Sequence, residues 1–160
     1  MTAHAITITV LGTPAPQGSK KAFALAGNRA RVVDVNPKAL NTWREDVKYA
    51  AERALAVTAE WERDYPAIVG YFAFCFDRPR SHYRTGKFAD LLRDDAPDYH
   101  AKMPDLDKLL RSTWDALTAA GVYRDDSRVS QVSATKTYTG QGPRQLDKPG
   151  AVITLYGMKP

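Results

Sequence analysis

An α+β domain, a mixed or largely antiparallel sheet with two main helices packed on it, is the fold class this sequence predicts. Three observations carry the expectation. Apolar and polar residues alternate near both ends of the chain, and a continuous apolar run lies between them. Two other stretches repeat apolar residues at helical spacing. A length of 160 residues fits one domain with a core of its own, residues 1–160.

Taken in order, Ala5 to Leu11 sets Ile6, Ile8 and Val10 among threonines, the pattern of a half-buried strand. Gly12 to Lys21 holds Pro14, Pro16 and Gly18 and reads as a loop. Phe23 to Ala26 and Arg29 to Val33 form a predicted hairpin with its turn at Gly27-Asn28. Asn36 is a good N-cap and Pro37 a good first helical residue, so a helix should run from there to about Val57. Leu40, Trp43, Val47, Ala50, Ala51, Ala54 and Leu55 are its apolar side. Ala67 to Phe76 is the most apolar stretch and should be a central strand, stopped at Pro79.

Ser81 to Met103 is polar and mixed in charge, long for a structureless connection, and reads as a functional or partly mobile basic loop. Asp107 to Ala120 is the second helix, closed by Gly121. Val129 to Tyr138 alternates again, Thr139 to Gly150 is a Gly/Pro/Gln-rich turn, and Ala151 to Tyr156 is a last strand. There is no internal repeat.

The net charge of +5 favours a polyanionic partner, because cations on phosphates release counterions. No apolar run approaches the roughly 20 residues that cross a bilayer, and the N-terminal stretch alternates like a strand rather than a signal peptide. A cytoplasmic protein with no membrane partner is the expectation. Cys75, the only cysteine, lies in an apolar strand and should be a buried, inert thiol.

Within this basic chain, Asp105, Asp107, Asp125 and Asp126 bracket the second helix. Pro104 makes an extended approach at Met103, so the helix should begin just after it. An extended Asp105-Leu106-Asp107 would put both carboxylates on one side. Gly121 would then let the chain turn back and bring Asp125 and Asp126 towards the start of the helix. Hard oxygen ligands without softer neighbours suit magnesium, with manganese as a substitute. Such an ion can activate water against a phosphodiester, and Arg111 or Lys108 could neutralise the charge that builds there. The plainer reading stands beside it: Asp107 as a cap, Arg111 and Asp115 as a surface pair, Asp125-Asp126 as a turn. Spacing alone leaves both open.

Pro104-Asp-Leu-Asp-Lys-Leu-Leu-Arg, then Asp115-Ala-Leu, Gly121-Val and Asp125-Asp126, resemble the core of the RusA family of Holliday-junction resolvases. Pro14-Ala-Pro-Gln-Gly-Ser-Lys, leading to an Asn-Pro-capped helix with Trp43, is similar to the start of its phage members. The resemblance implies a homodimeric, magnesium-dependent endonuclease that makes paired symmetric nicks in four-way DNA junctions, in recombination and repair. It implies catalytic and metal-binding roles for Asp105, Asp107 and Asp126, with Asp125 in support, and a structural one for Asp115. Arg111 stands where the family's prototype has a functional lysine, keeping the charge but not the point-charge geometry. Lys108 replaces a frequent asparagine, and the 81–103 loop is longer than in the shortest members.

Lys20, Lys21, Arg29 and Arg31, then Arg80, Arg84 and Lys87 with Tyr83 and Phe88 interleaved, are the candidate DNA contacts, with Lys108 beside the carboxylates. His82 and His100 lack partners at metal spacing and read as loop surface. Trp43, Trp61 and Trp114 read as core or dimer contacts. Two alternatives compete: a metal-dependent phosphohydrolase of small nucleotides, which needs no basic loop, and a non-catalytic junction-binding module, in which the carboxylates only cap and turn.

Overall fold

Six strands and two long helices follow one another along the residues that this computed structural model describes, which are 3–18, 20–25, 29–34, 36–140 and 146–160. They are β1 (Ala3–Leu11), β2 (Lys20–Leu25), β3 (Arg29–Asp34), α1 (Pro37–Val57), β4 (Ala67–Phe76), α2 (Leu106–Ala119), β5 (Val129–Tyr138) and β6 (Gly150–Met158). Single 3-10 turns stand at Arg80–His82, Gly86–Phe88 and Asp126–Arg128.

The main sheet has the order β1-β6-β4-β5, and β2 and β3 make a separate antiparallel ribbon. β6 runs antiparallel to both β1 and β4, whereas β5 runs parallel to β4. The parallel pair exists because α2 carries the chain back along the sheet before β5 begins, as a crossover requires. One row across the sheet shows the layering: Ile8 faces Ile153, which faces Phe72, which faces Ala134. The first three are buried, and Ala134 packs against them.

Both helices cover the buried face. Asn36 Oδ1 accepts from the Ala39 amide at 3.2 Å, which satisfies a donor left free at the start of α1. Leu40, Trp43, Val47 and Ala51 then fall on one buried stripe. From α2 come Leu109, Leu110, Thr113, Ala116 and Leu117. Trp43 joins the layers, with its ring beside Phe74 and its indole N–H donating to Thr113 Oγ1 at 3.2 Å. Truncating such a ring to alanine costs about 3–5 kcal/mol. Gly157 in β6 leaves the space that the Tyr65 ring fills, since a Cβ there would lie 2.2 Å from Tyr65 Cδ2.

The α+β expectation holds, with every expected helix and strand present. Lysines hid the start of the ribbon, which begins at Lys20 rather than Phe23, and the last strand is longer than 151–156. The predicted turn at Gly27-Asn28 lies outside the described residues, as do 141–145 of the Thr139–Gly150 stretch. Ser81–Met103 is irregular but built. Arg84 and Arg93 amides bond Leu91 and His82 carbonyls, Tyr83 bridges Leu92, and Tyr99 bridges Thr137.

Candidate active site

Pro104 disfavours a helical Met103 ahead of α2, and Asp105 is the N-cap, extended with φ −68° and ψ 141°. Its side chain does not cap the helix. Instead Lys108, one turn on, reaches back to Asp105 Oδ2 at 2.8 Å. That hydrogen bond and the Lys108 charge, with Lys136 contributing, hold the Asp105 carboxyl below the usual carboxylate range despite some desolvation. Asp107 sits in the first turn, exposed, with no hydrogen bond or ion pair among the described residues. Leu106 between them packs against the core. Asp105 and Asp107 thus stand together at the positive end of the helix dipole, which favours anions there.

Arg111, one turn beyond Asp107, is exposed and also free of partners among the described residues. Asp115 differs from both. It pairs with Arg44 Nη2 of α1 at 2.5 Å, not with Arg111, and the same nitrogen bonds Gln17 Oε1. Ser112 Oγ donates to the Ala15 carbonyl at 2.6 Å, and the Gln17 amide to the Lys108 carbonyl at 3.0 Å. The 12–18 segment is therefore strapped across the first half of α2, and Asp115 is a tie between helices.

Asp125 and Asp126 do not return to the head of α2. Gly121 takes φ +77°, the left-handed conformation that stops the helix, and the Val122 amide bonds the Leu117 carbonyl. Asp125 Oδ1 then accepts from the Ser127 amide at 2.8 Å, and bonding from Ser127 lowers its pKa. Asp126 follows, exposed, just ahead of β5. Two rulers give the separation. From Asp107 to Ala119 the helix rises about 18 Å, and Val129 to Lys136, which returns along it, spans about 23 Å. The chain reversal has a physical cause: a crossover helix delivers the next parallel strand at its far end. Among the described residues, no three His, Cys, Asp or Glu side chains lie close enough to share a metal ion.

Sequence reasoning passed over Lys136. Its ammonium donates to the carbonyls of Lys102 at 2.5 Å and Pro104 at 2.7 Å, at the doorstep of Asp105. One signal was available, since it is the only charged residue of Val129–Tyr138.

The basic loop is largely self-engaged. Arg84 bonds Asp94 at 2.7 Å, Arg93 grips Asp95, and Arg78 lies 4.4 Å above the Tyr138 ring while donating to the Pro97 carbonyl. Arg80 and Lys87 are exposed beside Tyr83 and Phe88. His82 and His100 are packed rather than free loop surface. His100 stacks on Phe76 at 4.3 Å, and both histidines contact Tyr138. Burial, with nearby cations, lowers both their pKa values. Lys20, Lys21, Arg29 and Arg31 fall on β2 and β3, and their side chains lie outside the described residues. A groove of about 850 Å³ adjoins Asp105, lined by Pro14, Pro16, Asp46, Phe76, Met103 and Pro104 among others. Burial raises the pKa of Asp46 within it.

An exposed aspartate pair thus stands among cations on a basic α+β domain. Residues 12–145 match the family model described as endodeoxyribonuclease RusA, and the chain belongs to that family of Holliday-junction-resolving endonucleases. Resolvases of this family depend on a divalent metal and act on branched DNA. No curated protein matches the sequence.

Proposed function

We propose that this protein is a magnesium-dependent resolvase that cuts four-way DNA junctions by paired symmetric nicks as a homodimer, in recombination and repair. The observation that carries the reading is the Asp105–Asp107 pair at the head of α2, exposed and flanked by Lys108 and Arg111. The donor set fits the ion. Magnesium is held by one or two carboxylates, waters and substrate phosphate oxygens, and Asp105 and Asp107 supply the protein's share at this end. When bound, it would polarise the scissile phosphate and lower the pKa of a water.

Asp126, with Asp125 in support, completes the set from a second copy of the chain. The separation of about 18–23 Å along α2 and β5 keeps it from doing so within one copy. A twofold dimer would then carry two equivalent sites, as symmetric nicking of two strands requires. Lys108 is already on Asp105 and can exchange that partner for a phosphate, while Arg111 offers a planar cation one turn away. Lys20, Lys21, Arg29, Arg31, Arg80, Arg84 and Lys87 would hold junction arms, Arg84 by giving up its exposed pair with Asp94.

A labelled four-way junction beside linear duplex of the same sequence, with magnesium or EDTA, tests this. The expected result is symmetric, metal-dependent nicking of the junction alone. Asp107→Asn should lower it at least about 100-fold, since even outer-shell changes cost 10–100-fold. Junction binding without cleavage at any magnesium concentration would leave a binding module instead.

A further inference from the structure

We infer that Lys136 is a positioning residue of the candidate resolvase site, fixing the Lys102–Asp105 approach and so the place of the Asp105 and Asp107 carboxylates. The inference rests on the resolvase reading and deepens it. The anchor end is rigid: Lys136 faces Phe74 in the parallel ladder, and its carbonyl accepts from the His100 amide at 3.1 Å. Thr137, the next residue, bridges Tyr99. The lysine stem therefore starts from a backbone held on both sides, by β4 and by the returning 99–100 segment.

At its other end the ammonium has three donors and uses two of them on the carbonyls of Lys102 and Pro104, on either side of Met103. Neither carbonyl takes a backbone hydrogen bond among the described residues. The helix ladder begins only afterwards, with the Leu109 amide on the Asp105 carbonyl. One cation thus replaces the missing backbone donors where the chain turns from an irregular segment into α2. Asp105 is the very next residue after the second carbonyl. Charge-assisted bonds of this kind are roughly twice as strong as neutral ones, which suits a joint that must hold an exposed carboxylate still.

The test compares wild type with Lys136→Met, which keeps the stem and removes the donors, and with Lys136→Arg, which keeps a cation. Three readouts are taken on the full chain: amide exchange of the 102–110 peptide without metal, junction affinity in EDTA, and the magnesium concentration for half-maximal cleavage. Positioning predicts unchanged junction affinity, faster exchange, and a midpoint raised about 10–100-fold in Lys136→Met, largely recovered by Lys136→Arg. Wild-type exchange and midpoint in a folded Lys136→Met protein would overturn the inference. If that variant does not fold, Lys136→Gln, with donors but less reach, is read by the same two outcomes. A wild type that cuts no junction would sink the resolvase reading, while the exchange comparison still decides the clamp.

Discussion

The two ends of α2 each carry a pair of aspartates, but they hold them by opposite means. At the head, Asp105 is held by side-chain cations, Lys108 directly and Lys136 through the Pro104 carbonyl, and Asp107 makes no hydrogen bond or ion pair among the described residues. At the tail, Asp125 is held by a backbone amide two residues on, in a turn opened by Gly121. A counterion on a flexible stem can be exchanged for a metal ion or a phosphate at small cost, whereas a backbone turn cannot be unmade without local unfolding. The head is therefore built for exchange and the tail for shape. Asp126, exposed on that rigid turn, is a carboxylate offered outwards from a fixed base.

The largest expected effect breaks the comparison outright. Asp107→Asn and Asp126→Asn should each abolish cleavage, and mixing the two inactive proteins should restore nicking. In a random mixture, about a quarter of the sites would combine an intact head with an intact tail from the other copy. If the mixture stays silent after exchange of subunits has been verified, the two ends do not meet across a dimer.

An intermediate effect tests the tail as shape. Gly121→Ala meets no steric neighbour but must hold φ near +77°, which costs an L-residue about 1–2 kcal/mol. The melting temperature should fall by about 2–8 °C in calorimetry. Magnesium dependence should hardly move, and a shifted midpoint would show that the tail also sets the metal site. The smallest effect sharpens the electrostatics. The Asp125 pKa is depressed in the folded state, so its contribution is present above the unfolded carboxylate pKa and lost as pH falls through the folded one. Asp125→Asn should accordingly melt slightly below wild type at pH 7, with the gap closing below about pH 4. A gap that persists at pH 2 would assign the loss to the changed turn rather than to the charge.

Most of the fold was legible in the sequence because its signals are local. Ile6, Ile8 and Val10 announce a strand by alternation, and Asn36-Pro37 announces a helix start by capping chemistry. The pair at the head of the candidate site was legible for the same reason, since Pro104 keeps Met103 out of a helix and so marks where α2 can begin. What was not legible depends on direction and register. The sequence around Gly121 shows that the chain turns, but not that β5 will run parallel to β4 and leave Asp126 at the far end. Arg44 and Asp115 lie 71 residues apart, so nothing local links them, and the nearer Arg111 looked like the natural partner. Lys136 reaches Lys102 and Pro104 only because Thr137 is registered against Tyr99. A strand lysine carries no local sign of that.

The pairing of β1 with β6, from Ala3 opposite Met158 to Leu11 opposite Gly150, imposes an order of events on the newborn chain. Among the described strands, β6 also stands between β1 and β4 in the sheet order. During synthesis Ile6, Ile8 and Val10 must wait, without this strand partner, until β6 has been made. Such late closure favours slow folding and an aggregation-prone interval. Chaperone dependence should therefore be sensitive to changes in β6, the strand whose arrival closes the sheet onto β1.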